Sequence, residues 1–174
     1  MTNHGFKKLT EDNWLQPDKI SSLFVSISPI DGQTQPITGN ERVRDILRIS
    51  LTDEVPQEIQ AQFEVARGAL VYGYFFYPLY TLAGEQLFRV VEAAVTFKCN
   101  ALEAPSSIKN FKQKIDYLIK EKVIPEREKE VWHAVRKLRN SASHALHQNI
   151  FTPGMAIVNL NKIADKINAL FRNV

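Results

Sequence analysis

The sequence predicts an all-α protein, an up-and-down bundle of about five helices preceded by a small irregular N-terminal extension. From about residue 54 onward, apolar residues recur at spacings of three and four, which is the period of an amphipathic helix. Prolines and capping residues separate these periodic stretches by short connections. Because short connections favour antiparallel neighbours, the simplest architecture is a bundle.

The first fifty residues differ in texture from the rest of the chain. Two prolines and two glycines lie within residues 29–39, which is typical of a loop. The alternating stretch SLFVSIS predicts a short strand, and Asn40 is placed to cap a short helix. We therefore divide the chain into an extension, residues 1–50, that packs on a helical domain, residues 51–174.

The first two helices of the bundle come from the most apolar part of the chain. Residues 68–84 carry no charge, but they are at the short limit for a membrane span and are flanked closely by charged residues. We interpret them as parts of two buried helices separated by Pro78. The first begins near Pro56, and the second ends before Pro105. The N-terminus has no apolar stretch of signal-peptide type, so the cytoplasm is the expected location.

Three further helices complete the predicted bundle. Ser106 or Ser107 is placed to cap the third, and Thr152 to cap the last, which has Pro153 in its first turn. The fourth opens at Pro125. The face of the fourth helix expected to pack on the bundle is its apolar stripe, Val131, Val135, Leu138, Ala142 and Ala145.

Charge and cysteine content set limits on function. The formal net charge of +3 is mildly basic and does not by itself indicate nucleic-acid binding. The single cysteine, Cys99, excludes an internal disulfide, and its apolar surroundings in the sequence predict a small buried side chain.

A polar ridge on the fourth helix is the candidate site. On the side opposite the apolar stripe, residues recur at spacings of three and four and include three of the four histidines of the chain. A solvated helix face usually carries Glu and Lys, and this ridge carries neither. Its members are His133, Arg136, Asn140, His144 and His147.

These residue types together suit metal-free chemistry on a phosphate ester. Histidine exchanges a proton near neutral pH, arginine matches phosphate oxygens, and asparagine orients a neighbour. The ridge holds no carboxylate or cysteine, so no metal site and no cofactor are indicated. RNA is the natural substrate because its 2′-hydroxyl is a nucleophile beside the phosphate. A solvated helix face with incidental histidines is the alternative.

The helix geometry also indicates a homodimer. Arg139 and His144 are five residues apart, which separates them by about 140° around an ideal helix. One helix therefore makes no compact pocket from this pair. Two copies related by a two-fold axis would place each ridge opposite its mate.

The stretch RNSASH, from Arg139 to His144, resembles the signature of HEPN domains, an arginine and a histidine separated by four to six residues with a polar residue after the arginine. The stretch FKQKIDYLIKEKVIPEREKEVWHAVRKL that precedes it is also similar to HEPN proteins. The resemblance covers roughly residues 55–174.

The resemblance implies an HEPN-like helical domain that dimerises through the motif helix and cleaves RNA without metal. It implies Arg139 and His144 as the catalytic pair and Asn140 as their polar support. It also implies membership of toxin–antitoxin or phage-defence systems, with an antitoxin or regulatory protein as partner and no membrane. Supporting or RNA-binding roles are expected for Arg136, Ser143, His147, Glu85 and Glu92. The alternative is a non-catalytic HEPN module that binds nucleotide or RNA or acts as a dimeric scaffold.

Overall fold

The computed structural model describes residues 7–142 and 151–172. This part of the chain is an all-α bundle with a small N-terminal extension, as the sequence predicts. The extension holds a 3-10 turn (Ser21–Leu23), a two-stranded antiparallel hairpin and one short α-helix: β1 (Val25–Ile27), β2 (Thr34–Pro36) and α1 (Gly39–Leu47). The bundle holds five helices: α2 (Gln57–Tyr72), α3 (Leu79–Ala101), α4 (Phe111–Lys120), α5 (Lys129–Ala142) and α6 (Pro153–Phe171).

Helix α3 is the centre of the bundle. It packs against α2, α4, α5 and α6, so both faces of its apolar sequence are covered. Its fully buried side chains include Tyr80, Leu87 and Val91. The uncharged stretch around Pro78 thus forms the end of α2, a tight turn and the start of α3. None of the described helices has both the length and the apolar character that a membrane span requires.

Capping residues explain where several helices begin, and two predicted caps were wrong. Thr152 caps α6 as expected. Helix α1 is capped by Thr38 instead of Asn40, because Thr38 and Glu41 form a reciprocal capping box. Helix α4 starts at Phe111, after a capping box between Asn110 and Gln113. The predicted caps Ser106 and Ser107 lie in the turn before it.

The predicted strand is confirmed as β1. Val25 lies opposite Pro36 in the hairpin register. Half-buried Phe24 stacks on Tyr77 at a ring-centroid distance of 6.2 Å, which fixes the hairpin to the bundle. The alternate side chains of the strand, including Val25 and Ile27, point to solvent.

The predicted packing face of α5 was wrong in part: Val135 packs against the core as predicted, but Val131 and Leu138 do not. Val131 and Leu138 of the stripe are each 48% exposed, whereas Trp132 is 2% exposed. The helix is therefore rotated so that the largest apolar side chain enters the core. This rotation carries His133 and Arg136 of the predicted polar ridge into partly buried positions. The side chains of Ala142 and Ala145 lie outside the described part.

Candidate functional site

An ion pair joins the motif arginine to the central helix. Nε of Arg139 on α5 donates to Oε2 of Glu92 on α3 at 2.6 Å. The side chains are 34% and 30% exposed, so the pair lies at the edge of the bundle and remains accessible to solvent. A charge-assisted hydrogen bond of this length orients the guanidinium on Glu92.

Helix α3 thus supplies a residue expected from the sequence. Glu92 was predicted as a supporting residue and lies against Arg139. Glu85, also predicted, is half-buried two turns earlier on the same face of α3, and Arg89 between them is exposed. The structure brings Glu92 to the motif; it gives Glu85 no hydrogen bond or ion pair within the described residues.

Two other ridge residues lie beside this ion pair. Asn140, next to Arg139, is exposed near the end of α5. Arg136 is one turn earlier and half-buried, and its Nε is buried with no hydrogen-bond partner among the described residues. A buried guanidinium nitrogen without an acceptor is unfavourable, so this group gains from an approaching anion.

His133 of the predicted ridge contacts a neighbouring helix. Its Nε2 lies 3.1 Å from Oδ1 of Asp116 on α4, and its side chain is 12% exposed. The histidine of the ridge nearest the start of α5 therefore ties α5 to α4. Sequence reasoning missed Asp116, because no local spacing connects residues on two different helices.

Three predicted site residues fall outside the described part of the chain, namely His144, Ser143 and His147. Their predicted roles stay predictions.

An apolar groove lies on the exposed side of α5. It has a volume of about 490 Å³ and runs between α5 and α6, above Phe88 and Val91 of α3. The predicted stripe of α5 forms one wall of the groove. Val131 and Leu138 are therefore exposed but lie beside other apolar side chains. At one end of the groove, Nζ of Lys166 on α6 donates to Oε2 of Glu128 at 2.6 Å. Glu128 lies in the 3-10 turn that leads into α5, so this bond joins α6 to the start of α5.

The described residues offer neither a reactive cysteine nor a cluster of metal ligands. Cys99 is buried as predicted, and burial raises the pKa of its thiol, so the reactive thiolate is disfavoured. In residues 7–142 and 151–172, no three His, Cys, Asp or Glu side chains come together as metal ligands would. The described candidate site is therefore an arginine-centred patch, Arg136, Arg139 and Asn140, supported by Glu92.

More than half of the chain is similar to a known family. The model of a family described as a domain of unknown function, DUF4145, matches residues 72–170, which is 99 of the 174 residues. The match begins at the last residue of α2 and includes α3 to α6, so it contains Glu92 and the whole motif helix. No curated protein and no solved structure matches the chain.

Proposed function

The chain belongs to the DUF4145 family, and we propose that its helical domain is a metal-independent endoribonuclease of the HEPN type. The observation that carries the proposal is the contact between Arg139 and Glu92. It fixes the motif arginine on the long central helix while a third of its side chain stays exposed. The R-N-x-x-x-H sequence at residues 139–144 supplies the histidine that this chemistry needs.

The proposed reaction is an internal transfer at one phosphodiester bond. His144 removes the proton from the 2′-hydroxyl, and the 2′-oxygen attacks the adjacent phosphorus. The bond from phosphorus to the 5′-oxygen breaks, and this oxygen takes up a proton. The products are a 2′,3′-cyclic phosphate and a 5′-hydroxyl end. Arg139 stabilises the negative charge that develops on the phosphoryl oxygens, and Asn140 positions the pair.

The charges of the described site support an anionic ligand. Arg136 and Arg139 lie one turn apart on α5, and Lys137 between them is exposed. Only Arg139 has a carboxylate among its hydrogen-bond partners within the described residues. Positive charge thus exceeds negative charge at this end of α5, and a phosphate backbone would complement it.

The test is RNA cleavage in the presence of excess chelator. The wild-type protein is expected to cleave, and His144→Ala and Arg139→Ala are expected to lower the rate at least about a hundredfold. Lys120→Ala, a basic residue on the exposed face of α4, is the matched control and should cleave normally. Cleavage that needs a metal ion, or that persists in His144→Ala, would contradict the proposal.

We further propose that the protein acts as a homodimer through the exposed face of α5. Val131 and Leu138 flank the small residue Ala134, so two α5 helices can approach closely around it. Residues 126–130 hold three glutamates against one arginine and one lysine, a net charge of −1, whereas residues 136–139 hold two arginines and one lysine, a net charge of +3. An antiparallel pair places these segments opposite each other.

Sedimentation of surface variants tests this dimer. Leu138→Glu is expected to give monomers, because it places a charge within the apolar contact. Val65→Glu is the control, since Val65 on α2 is 62% exposed and lies away from the groove. Lys137→Glu should weaken the dimer, and adding Glu130→Lys in the same chain should restore it. Equal sedimentation of Leu138→Glu and wild type would overturn this interface.

The second candidate function is a non-catalytic HEPN module, a scaffold or a binding partner for nucleotide, RNA or an antitoxin or regulatory protein. The observation in its favour is the same ion pair, because Glu92 already neutralises much of the charge of Arg139. An apolar groove beside the motif also suits a protein partner. RNA binding without cleavage in the chelator assay would favour this module.

A further inference from the structure

The N-terminal extension is bound to the turn between α2 and α3 by buried hydrogen bonds. Asp18 is 1% exposed; its backbone N–H donates to the carbonyl oxygen of Tyr74 at 2.9 Å, and its Oδ2 accepts from the N–H of Tyr77 at 3.0 Å. Oγ of Ser21 donates to the carbonyl oxygen of Gly73 at 3.1 Å. The extension therefore supplies partners for backbone groups that a tight turn leaves unpaired.

The turn is packed directly on the first residues of α3. A side chain at position 73 would project to within 2.9 Å of the ring of Tyr80, so the glycine permits the ring to lie on the backbone. Because the packing is this close, a displacement of the turn also displaces Tyr80.

A second residue of the extension, Arg42, disfavours the attachment of the extension to the bundle. Arg42 of α1 is 5% exposed, and its Nε has no hydrogen-bond partner within the described residues. Its charge acts on Tyr80, whose pKa burial raises to about 12 against the opposing effect of Arg42. A buried guanidinium nitrogen without an acceptor disfavours the bound state of the segment that carries it. The extension is therefore held by Asp18 and loosened by Arg42.

The start of α3 also holds the chain where it enters α6. The N–H of Phe151 donates to Oγ1 of Thr81 at 3.4 Å, and the Phe151 ring lies against Gly84. Thr81 follows Tyr80 directly, so one helical turn contacts the extension on one side and Phe151 on the other. Phe151 is seven residues after His144 in the sequence.

We propose that Asp18 is a positioning residue: by binding the α2–α3 turn it sets the start of α3 and, through Thr81 and Gly84, the position of Phe151. The consequence for RNA cleavage rests on the proposed function, since only then does the position of the chain after the motif affect a reaction. The extension thus acts as a strap, meaning a segment that holds the α2–α3 turn in place. How firmly it is attached depends on the balance between Asp18, which favours the attachment, and Arg42, which disfavours it.

Hydrogen exchange at the amides of Phe151 and Thr152 tests the proposal in the full chain. Asp18→Ala removes both carboxylate acceptors and is expected to speed this exchange about tenfold, with a smaller effect for Asp18→Asn, which keeps one acceptor. Arg42→Met should slow the exchange several-fold, because it removes the buried guanidinium whose Nε lacks a hydrogen-bond partner within the described residues. Asp12→Ala is the control, since Asp12 is exposed in the same segment.

The amide of Leu118 on α4 reports global opening, because this residue is fully buried away from the strap. A purely structural role would change Leu118 and Phe151 equally in Asp18→Ala and would overturn the proposal, as would unchanged exchange at Phe151. Faster exchange at Phe151 alone supports it. RNA cleavage measured in parallel separates the two proposals. If no variant cleaves RNA, the ribonuclease proposal is wrong and the proposed role of Asp18 still stands. If Asp18→Ala cleaves RNA normally and its exchange at Phe151 is unchanged, the proposed role of Asp18 is wrong.

Discussion

The ring of Phe151 occupies the space into which a side chain at position 84 would project. A Cβ at Gly84 would lie 2.9 Å from Cε2 of Phe151, closer than a real contact permits. The glycine is thus a packing requirement within α3, where an alanine would otherwise favour the helix. It allows the chain entering α6 to lie directly on the central helix.

Two glycine substitutions measure this contact. Gly84→Ala is expected to destabilise the protein by about 1–3 kcal/mol, because either Phe151 or α3 must shift. Gly68→Ala is the matched control inside α2, since a Cβ there meets nothing within 4 Å. It should stabilise by about 0.5–1 kcal/mol through helix propensity. Urea denaturation of both variants gives the values, and equal effects would contradict a packing role for Gly84.

The contact between Glu92 and Arg139 predicts a change in activity. Glu92→Gln keeps the shape of the side chain and removes its charge, so the guanidinium is less firmly oriented. We expect RNA cleavage to fall about tenfold to a hundredfold. Glu58→Gln, on the exposed first turn of α2, should leave cleavage unchanged. Thermal melting must show that both variants fold, and a Glu92→Gln variant that cleaves RNA as fast as Glu58→Gln would contradict the role of Glu92 in orienting Arg139.

The ion pair between Glu128 and Lys166 predicts a pH dependence of stability. The hydrogen bond from Lys166 lowers the pKa of Glu128 below its ordinary value. A lowered folded-state pKa contributes stability that is fully present above the unfolded pKa, about 4.3, and is lost as the pH falls through the folded value. Lys166→Met should therefore cost about 0.5–1 kcal/mol at pH 7 and progressively less toward pH 3.

Denaturation midpoints from pH 3 to 7 test this dependence. Lys120→Met on the surface of α4 is the control, and its difference from wild type should not show the same decline in acid. A Lys166→Met penalty that stays constant down to pH 3 would mean that the ionised glutamate contributes nothing.

The capping box of α4 predicts which residue begins this helix. Oδ1 of Asn110 accepts from the N–H of Gln113 at 3.0 Å, and Oε1 of Gln113 accepts from the N–H of Asn110 at 3.1 Å. Asn110→Ala should cost about 1 kcal/mol of the free energy of unfolding. Ser107→Ala in the preceding turn should be neutral, although the sequence makes Ser107 an equally suitable cap. A larger loss in Ser107→Ala would place the start of α4 earlier.

Helix positions were predictable from the sequence, but the buried face of α5 was not. Periodicity and prolines predict the helices of the bundle because both are local properties of the chain. The stripe of Val131 and Leu138 has the helical spacing of a core face, yet it is half exposed. An apolar stripe becomes buried only where a neighbouring helix covers it. Here Trp132, one residue along, fills the core instead.

The site was predictable to the extent that it lies in one segment. The motif and its polar neighbours are adjacent in sequence, so Arg139 and Asn140 could be named together. Glu92 could be named only as one of several polar residues on an apolar helix. No sequence pattern indicated the roles of two aspartates. Asp116 pairs with His133, and Asp18 binds the α2–α3 turn. Their partners are distant in sequence and are brought close only by tertiary packing.

The attachment of the extension has a consequence for biosynthesis. Oδ2 of Asp18 and the N–H of Tyr77, which binds it, are separated by 59 positions in the chain. The ribosome makes the extension before the turn that receives it, because this turn forms only after α2 and the start of α3 have been made. The nascent α2–α3 hairpin is local and can fold early, whereas closing the longer loop to the extension comes later. The extension, although it is made before the helices that bind it, is thus among the last parts of the described chain to reach its native place.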